Sequence, residues 1–197
     1  QDHMECQLHS PTGAWHQEIP SLGAHMIYPV TMAAAVGRMY GLTDEQIRRG
    51  ILEFEPTKMR MAILHRGDDI TILNDTYNAN PQSMRAAISV LADSHSAWKV
   101  AVLGDMLELG EKGAEYHRNM GKKAVECGAD IMIGKGPLMK NACEETERAG
   151  IETMHFDTSE DIMRALDNCL RDGDTVLVKA SHGTNLKDVA EYIKANF

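Results

Sequence analysis

The amino-acid sequence predicts an α/β protein whose main part, residues 62–197, is a Rossmann-like three-layer domain with a mostly parallel sheet. From Ala62 onward, short apolar segments alternate with segments of helical periodicity, the pattern of strands joined by right-handed helical crossovers. The apolar segments lack strict in–out alternation, which is expected where helices cover both faces of a sheet. A polar run at 75–81 follows one such segment and ends in a proline that can begin a helix.

Five strands and five helices are predicted in this region. The predicted strands are 70–74, 100–103, 131–133, 153–156 and 175–178. The predicted helices are 82–94, 112–127, 137–149, 159–170 and 186–196. In the first of these helices, helical spacing places Met84, Ala87, Ile88 and Leu91 on one face.

Residues 1–61 have a different character and are predicted to form a separate region. Segments 5–9 and 14–19 flank a turn and indicate a β-hairpin. Two helices are predicted after it, 31–40 and 43–54, and the first is expected to be buried because it is rich in Ala and Met.

The second of these helices carries a recognisable start signal. Thr43 and Gln46 have the spacing of a capping box, in which each side chain bonds to the other residue's backbone amide. Ile47, Ile51 and Phe54 are expected to face inward.

A hairpin and two helices provide little core for the apolar residues of 1–61. Either they pack on the rest of the chain, or they are the tail of a larger domain. In the second case the apolar side chains around Ile27, Met32, Val36 and Met39 would be exposed, and the segment could drive self-association.

Composition argues against several classes of function. The chain has 197 residues, 43% hydrophobic and 25% charged, with a net charge of −9 and no evident basic patch, so nucleic acid is not an expected partner. No apolar run has membrane length and no signal peptide is evident, so the sequence predicts a cytosolic protein without membrane contact. The scattered Cys6, Cys127, Cys143 and Cys169 predict reduced thiols, and the nine histidines lack metal-ligand spacing, so no metal site is expected.

Four polar segments are expected to converge on one site. They are 59–61, 75–81, 103–110 and 178–183. The last three each follow a predicted strand, which places them at the carboxyl edge of the sheet, where open α/β sheets bind ligands. The run at 75–81 offers a carboxylate, a phenol and amides that could recognise a ribose or a purine. Its alternative interpretation is an Asx-rich turn that caps a helix.

Two of these segments resemble the signatures of the Mur ligases, ATP-dependent amide-bond-forming enzymes of peptidoglycan synthesis. They are D-T-Y-N-A-N-P at 75–81 and V-L-G-D-M-L-E-L-G at 102–110, followed by Tyr116 and His117. The resemblance is to members that add D-Ala-D-Ala to a UDP-muramoyl tripeptide, using ATP and Mg²⁺. It implies that 1–61 is the end of the family's central ATP-binding domain and 62–197 its C-terminal domain.

The resemblance also implies roles for individual residues in nucleotide binding. Arg60 would contact the nucleotide phosphates, Asp75 the ribose hydroxyls, and Asn78 and Asn80 the surroundings of the base. Tyr77 belongs to the same set. From the residues themselves, Arg60 could equally be a solvated linker charge, and Tyr77 a core ring with its hydroxyl at the surface.

A second set of residues would serve the incoming dipeptide. Lys179 and Ser181 match a K-G-S-R-G segment in which His182 stands in place of arginine and Ala180 in place of glycine. Asp105 and Glu108 would orient the loop at 103–110 rather than transfer a proton.

Other departures from the family bear on activity. A glycine-rich phosphate loop, G-x-x-G-K-[ST], does not occur in the 197 residues, and no magnesium ligands or modified lysine of the central domain are identified. Ala24 and Pro29 stand where the family has Arg and Asn. By this comparison the catalytic set is incomplete, and the chain by itself is expected to be inactive.

Two alternatives remain open beside a ligase part. One is a non-catalytic, Mur-ligase-like binding or interaction module, which the missing phosphate loop would fit. The other is a related amide ligase such as one that makes folylpolyglutamate, against which the two signatures argue.

Overall fold

The computed structural model describes residues 3–55, 57–66 and 70–197. The parts of the predicted regions 1–61 and 62–197 that fall on 1–2, 56 and 67–69 lie outside the described residues. By its internal contacts the chain divides into two compact units, Gln1–Thr57 and Lys58–Phe197.

The first unit consists of a hairpin and two helices. Its elements are β1 (Met4–Ser10), β2 (Gly13–Ile19), α1 (Ile27–Met39) and α2 (Asp44–Leu52), with a 3₁₀ turn at Ala24–Met26. The strands pair antiparallel, with Ser10 opposite Gly13 across the turn, so the predicted hairpin is confirmed. The capping box of Thr43 and Gln46 is present at the start of α2.

A small apolar cluster holds this unit together. It consists of Leu8, Ile19, Val30, Ile47 and Ile51. The expectation that 31–40 is buried is wrong, because within α1 only Val30 is buried. Phe54, expected to face inward, is 45% exposed because α2 ends at Leu52.

In the part of the second unit that the structure describes, five α-helices cover a six-stranded sheet. The strands are β3 (Ala62–Arg66), β4 (Ile70–Asp75), β5 (Lys99–Gly104), β6 (Ile131–Lys135), β7 (Glu152–Phe156) and β8 (Thr175–Lys179). The helices are α3 (Pro81–Ala92), α4 (Gly113–Glu126), α5 (Lys140–Arg148), α6 (Ser159–Cys169) and α7 (Lys187–Asn196). The strand order is β3-β4-β8-β5-β6-β7, and only the β3–β4 pair is antiparallel.

The helices form two layers. Contacts link α3 with α4 and α4 with α5 on one face of the sheet, and α6 with α7 on the other. The apolar core between the sheet and α6–α7 includes Ile72, Val102, Ile133 and Val176. This arrangement confirms the predicted three-layer α/β fold with a mostly parallel sheet.

Helix packing in the first layer depends on a close approach at Gly121. A Cβ added to this residue of α4 would lie 2.3 Å from the carbonyl oxygen of Ala142 in α5. Since backbone atoms cannot move aside as a side chain can, glycine is required where α4 contacts α5.

Strand β3 was not predicted. It lies at the edge of the sheet and pairs antiparallel with β4 alone. Its sequence, A-I-L-H-R, contains no buried residue and mixes apolar with polar side chains. This short mixed segment therefore gives a weak sequence signal for a strand.

Candidate functional site

The carboxyl ends of three parallel strands define the candidate site. Strand β8 lies between β4 and β5, and its last residue, Lys179, is opposite Asp75 on one side and Leu103 on the other. The loops that follow these strands therefore begin side by side. The structure brings together the segments 75–81, 103–110 and 178–183, which we call the rim loops.

A buried ion pair connects the first and last rim loops. Lys179 Nζ lies 2.5 Å from Asp75 Oδ2 and donates also to the carbonyl oxygen of Asn78, at 2.9 Å. The side chains are 1% and 15% exposed. Burial lowers the pKa of Lys179 from its ordinary value, and the nearby Asp75 carboxylate opposes that shift. Lys179 is thus buried, and its predicted role near the incoming dipeptide stays a prediction.

Ser181 and Asp105 are buried as well and connect the loops further. Ser181 Oγ accepts a hydrogen bond from the Leu107 amide at 3.0 Å and donates to the Ala79 carbonyl oxygen at 3.3 Å. The Asp105 carboxylate accepts from the amides of Met139 and Leu138, at 2.7 and 3.3 Å. These bonds are those of a group that orients loops, the role expected for Asp105.

Asp105 also contacts the residues that precede α5. The sequence predicted a helix from residue 137, but α5 begins at Lys140. The preceding amides bond to Asp105, and a Cβ on Gly136, whose φ is 102°, would lie 2.6 Å from its carboxylate carbon.

Two further side chains support the rim, and sequence reasoning assigned them no role. The buried His117 accepts a hydrogen bond from the Met106 amide at 2.9 Å through Nε2, and its Nδ1 lies 2.7 Å from the Gly113 carbonyl oxygen. The tautomer with a proton on Nδ1 satisfies both contacts. Lys135 Nζ donates to the carbonyl oxygen of Thr184, 2.7 Å away. Two features of the sequence point to these residues. His117 belongs to the second signature, and Lys135 ends an apolar strand segment.

An exposed group of side chains lies over this buried framework. The guanidinium carbon of Arg60 is 4.1 Å from the centroid of the Tyr77 ring, the geometry of a cation–π contact. The ring of His182 lies 6.4 Å from that of Tyr77, tilted by 48°. Tyr77 is 43% exposed, so its alternative interpretation as a core ring is wrong.

The two asparagines of the first signature make local hydrogen bonds. Asn80 Oδ1 accepts from the Ser83 amide at 2.8 Å and forms a capping box at the start of α3, with Pro81 as the first helical residue. Asn78 Oδ1 accepts from the Ala79 amide at 2.8 Å. The capping interpretation is therefore confirmed for Asn80, and a contact of either residue with a nucleotide stays a prediction.

Glu108 also lies at the surface of the rim. It is exposed, and its φ of 62° is in the left-handed region.

In the part of the chain that the structure describes, no group of three or more His, Cys, Asp or Glu side chains could hold a metal ion. Within the same residues, no helix is both long and apolar enough to cross a bilayer.

Comparison with known proteins gives consistent matches. Residues 59–182, which contain three of the four polar segments and the fourth as far as His182, match the family described as Mur ligase, glutamate ligase domain. The UDP-N-acetylmuramoyl-tripeptide–D-alanyl-D-alanine ligases of Buchnera aphidicola and Bacillus subtilis are 33% and 31% identical to this chain. The matches cover 95% and 88% of this chain, but 40% and 38% of those proteins.

Solved structures show the same fold. A crystal structure of MurF from Acinetobacter baumannii has a TM-score of 0.85 and 27% identity, over 96% of this chain and 42% of that one. The MurF ligase of Thermotoga maritima, solved in complex with ADP, has a TM-score of 0.81 at 21% identity, which establishes a shared fold. The family match covers well over half of the sequence, and the chain belongs to the Mur ligase family.

Proposed function

We propose that this chain provides the Mur ligase domain of an ATP-dependent ligase that joins D-Ala-D-Ala to a UDP-muramoyl tripeptide. The observation that carries the proposal is the match of 88–95% of the chain to ligases named for that reaction. Because the chain spans about two fifths of those relatives, the complete reaction, its substrates and its ATP dependence are part of the proposal.

The exposed residues of the rim, together with the partly buried Asp75, suit a nucleotide. The Arg60 guanidinium is always charged and donates in a planar fork that matches phosphate oxygens. Each oxygen of the Asp75 carboxylate accepts one bond in the structure, from Met61 N–H or from Lys179, and each retains a lone pair for a ribose hydroxyl. Asn78, Asn80 and Tyr77 complete the proposed nucleotide side. ATP supplies the phosphoryl group that activates the carboxylate, and these residues bind and orient it.

The buried residues act indirectly in this proposal. Lys179 and Ser181 fix the three rim loops relative to one another, and Asp105 holds the loop at 103–110 to residues 138 and 139, so that the exposed Glu108 and His182 can face the incoming dipeptide. The imidazole of His182 can donate a hydrogen bond to a carboxylate through a ring N–H. Magnesium is expected from the family resemblance, and none of the described residues is assigned to it.

The non-catalytic module remains the second candidate. The cytosolic location and the self-association predicted from the sequence stay predictions under either candidate.

A chimeric ligase tests the proposal directly. The Escherichia coli UDP-N-acetylmuramoyl-tripeptide–D-alanyl-D-alanine ligase matches 98% of this chain over 42% of its own length, at 29% identity. We expect a chimera in which this chain replaces the matched part to release phosphate in a manner that depends on D-Ala-D-Ala. Substitution Arg60→Gln should lower kcat/KM about ten- to a hundred-fold, the effect of losing charge-assisted bonds. The exposed Arg164→Gln is the matched control.

A folded chimera that binds the UDP-muramoyl tripeptide but forms no amide bond would contradict the proposal. The non-catalytic candidate would then account better for the chain.

A further inference from the structure

The backbone on both sides of Arg60 has an unusual conformation. Met59 and Met61 have φ values of 62° and 49°, in the left-handed region. Residues with a Cβ rarely adopt this conformation because that atom approaches the following carbonyl oxygen. Two such residues around one arginine require contacts that hold the segment in place, and strain of this kind concentrates at functional sites.

Those contacts come from the first rim loop. The Tyr77 amide donates to the carbonyl oxygen of Met59 at 3.1 Å, and the Met61 amide donates to Asp75 Oδ1, also at 3.1 Å. The Met61 side chain is buried, with 7% of its surface exposed. Both neighbours of Arg60 are thus hydrogen-bonded to residues 75–77, and these bonds fix the position of the Arg60 backbone.

The side chain of Arg60 is held as well. Its guanidinium packs on the Tyr77 ring, 4.1 Å from the centroid, although both residues are exposed. Stacking on a ring uses the face of the guanidinium and leaves its in-plane N–H donors for an acceptor outside the protein. The ring of His182 lies beside the same tyrosine.

We propose that Tyr77 is a positioning residue that presents Arg60, already ordered, to a phosphate group of the ligand. This inference rests on the proposed function, and it gives the tyrosine a role through its ring rather than its hydroxyl. An arginine ordered in advance loses less side-chain freedom on binding, which strengthens the contact.

The test measures pyrophosphate binding to the full chain by NMR at constant ionic strength, together with the mobility of the Arg60 Nε–H group. Substitution Tyr77→Leu should weaken binding roughly two- to five-fold, the range of an exposed cation–π contact, and should make Arg60 Nε–H more mobile. Substitution Tyr77→Phe keeps the ring and should restore both values. Substitution Met59→Gly removes the strain and should also loosen Arg60 without unfolding the chain.

Two results would overturn the inference. If Tyr77→Phe binds as weakly as Tyr77→Leu, the hydroxyl and not the ring is responsible. If Arg60→Gln lowers binding but Tyr77→Leu does not, Arg60 needs no positioning, and the proposed function would stand unaffected. Failure of the proposed function would appear separately, as a chimera without ligation.

Discussion

At the scale of single residues, the rim separates into side chains that build it and side chains that face outward. Sequence reasoning placed Asp75 and Lys179 in different ligand sites, yet they form one buried pair 2.5 Å apart. The signatures identified both residues but not their contact, since 104 positions separate them and only the strand order brings them together. The exposure of Tyr77 could not be predicted from the sequence either, because it depends on the conformation of the loop.

The buried pair gives a prediction for stability. Substitution Asp75→Asn leaves the Lys179 ammonium buried without a countercharge, which should cost about 3–5 kcal/mol in the free energy of unfolding of the second unit. Substitution Lys179→Met should cost less, since Asp75 is partly exposed and keeps its bond from the Met61 amide. The double variant should recover part of the loss. Urea denaturation measures all three, and strictly additive effects would show that the pair is not coupled.

The same lysine predicts a pH dependence. Burial lowers the pKa of Lys179 below 10.5, its value in the unfolded chain. Between the lowered pKa and 10.5 the unfolded state binds more protons than the native state, so stability contributed by this group rises with pH across that window. The Lys179→Met variant should lack this contribution in parallel denaturation series. An unchanged slope in the variant would contradict the direction of the shift.

At the scale of elements, buried strands and helices were predicted to within a few residues, and the errors have identifiable causes. Strand β3 was missed because its sequence, A-I-L-H-R, mixes apolar with polar side chains and contains no buried residue. Helix α5 begins at Lys140 rather than at residue 137, because residues 137–139 form a turn before it. Helix α1 was expected to be buried because it is rich in Ala and Met. Amino-acid composition alone does not show whether another element packs against the helix.

The contact between α4 and α5 gives an element-scale prediction. Alanine has a helix propensity up to about 1 kcal/mol better than glycine, so Gly→Ala normally stabilises a helix. At Gly121 it should destabilise instead, because the new methyl group would lie 2.3 Å from the Ala142 carbonyl oxygen. Gly50 in α2 is the matched control, since an added Cβ there meets nothing within 4 Å. Thermal unfolding of Gly121→Ala and Gly50→Ala tests this prediction. Equal stabilisation by the two substitutions would mean that α4 and α5 can move apart without cost.

At the scale of the whole molecule, the two units have cores of very different size. Among the described residues, the first is held by a cluster of five buried residues, whereas the core on one face of the second unit's sheet contains sixteen. On α1, Met32, Val36 and Met39 are 67%, 51% and 84% exposed. A small core and an exposed apolar helix favour local opening and association.

We therefore expect faster amide hydrogen exchange before about Arg60 than in β5 and β8.

We also expect concentration-dependent self-association in sedimentation velocity. Because burial of each apolar side chain contributes roughly 1.5–3 kcal/mol, the double variant Met32→Ser, Met39→Ser should weaken association strongly. The same pair of changes at Met132 and Met154, in the second unit, would disturb a core rather than a surface and is unsuitable as a control. A suitable control is Leu107→Ser, which removes an apolar side chain exposed to 45% on the rim. Uniform protection in a concentration-independent monomer would show that the first unit is self-sufficient.

The central claim is that the exposed side of the rim binds the nucleotide of a Mur ligase reaction. The most direct measurement is an NMR titration of the full chain with ATP. With few phosphate contacts, we expect a dissociation constant of about 1 mM, near −4 kcal/mol. Chemical shift changes should be centred on Arg60, Asp75, Tyr77 and Asn78, and Arg60→Gln should weaken binding while Arg164→Gln should not. Shift changes confined to residues away from the rim, or binding that Arg60→Gln leaves unchanged, would contradict the claim.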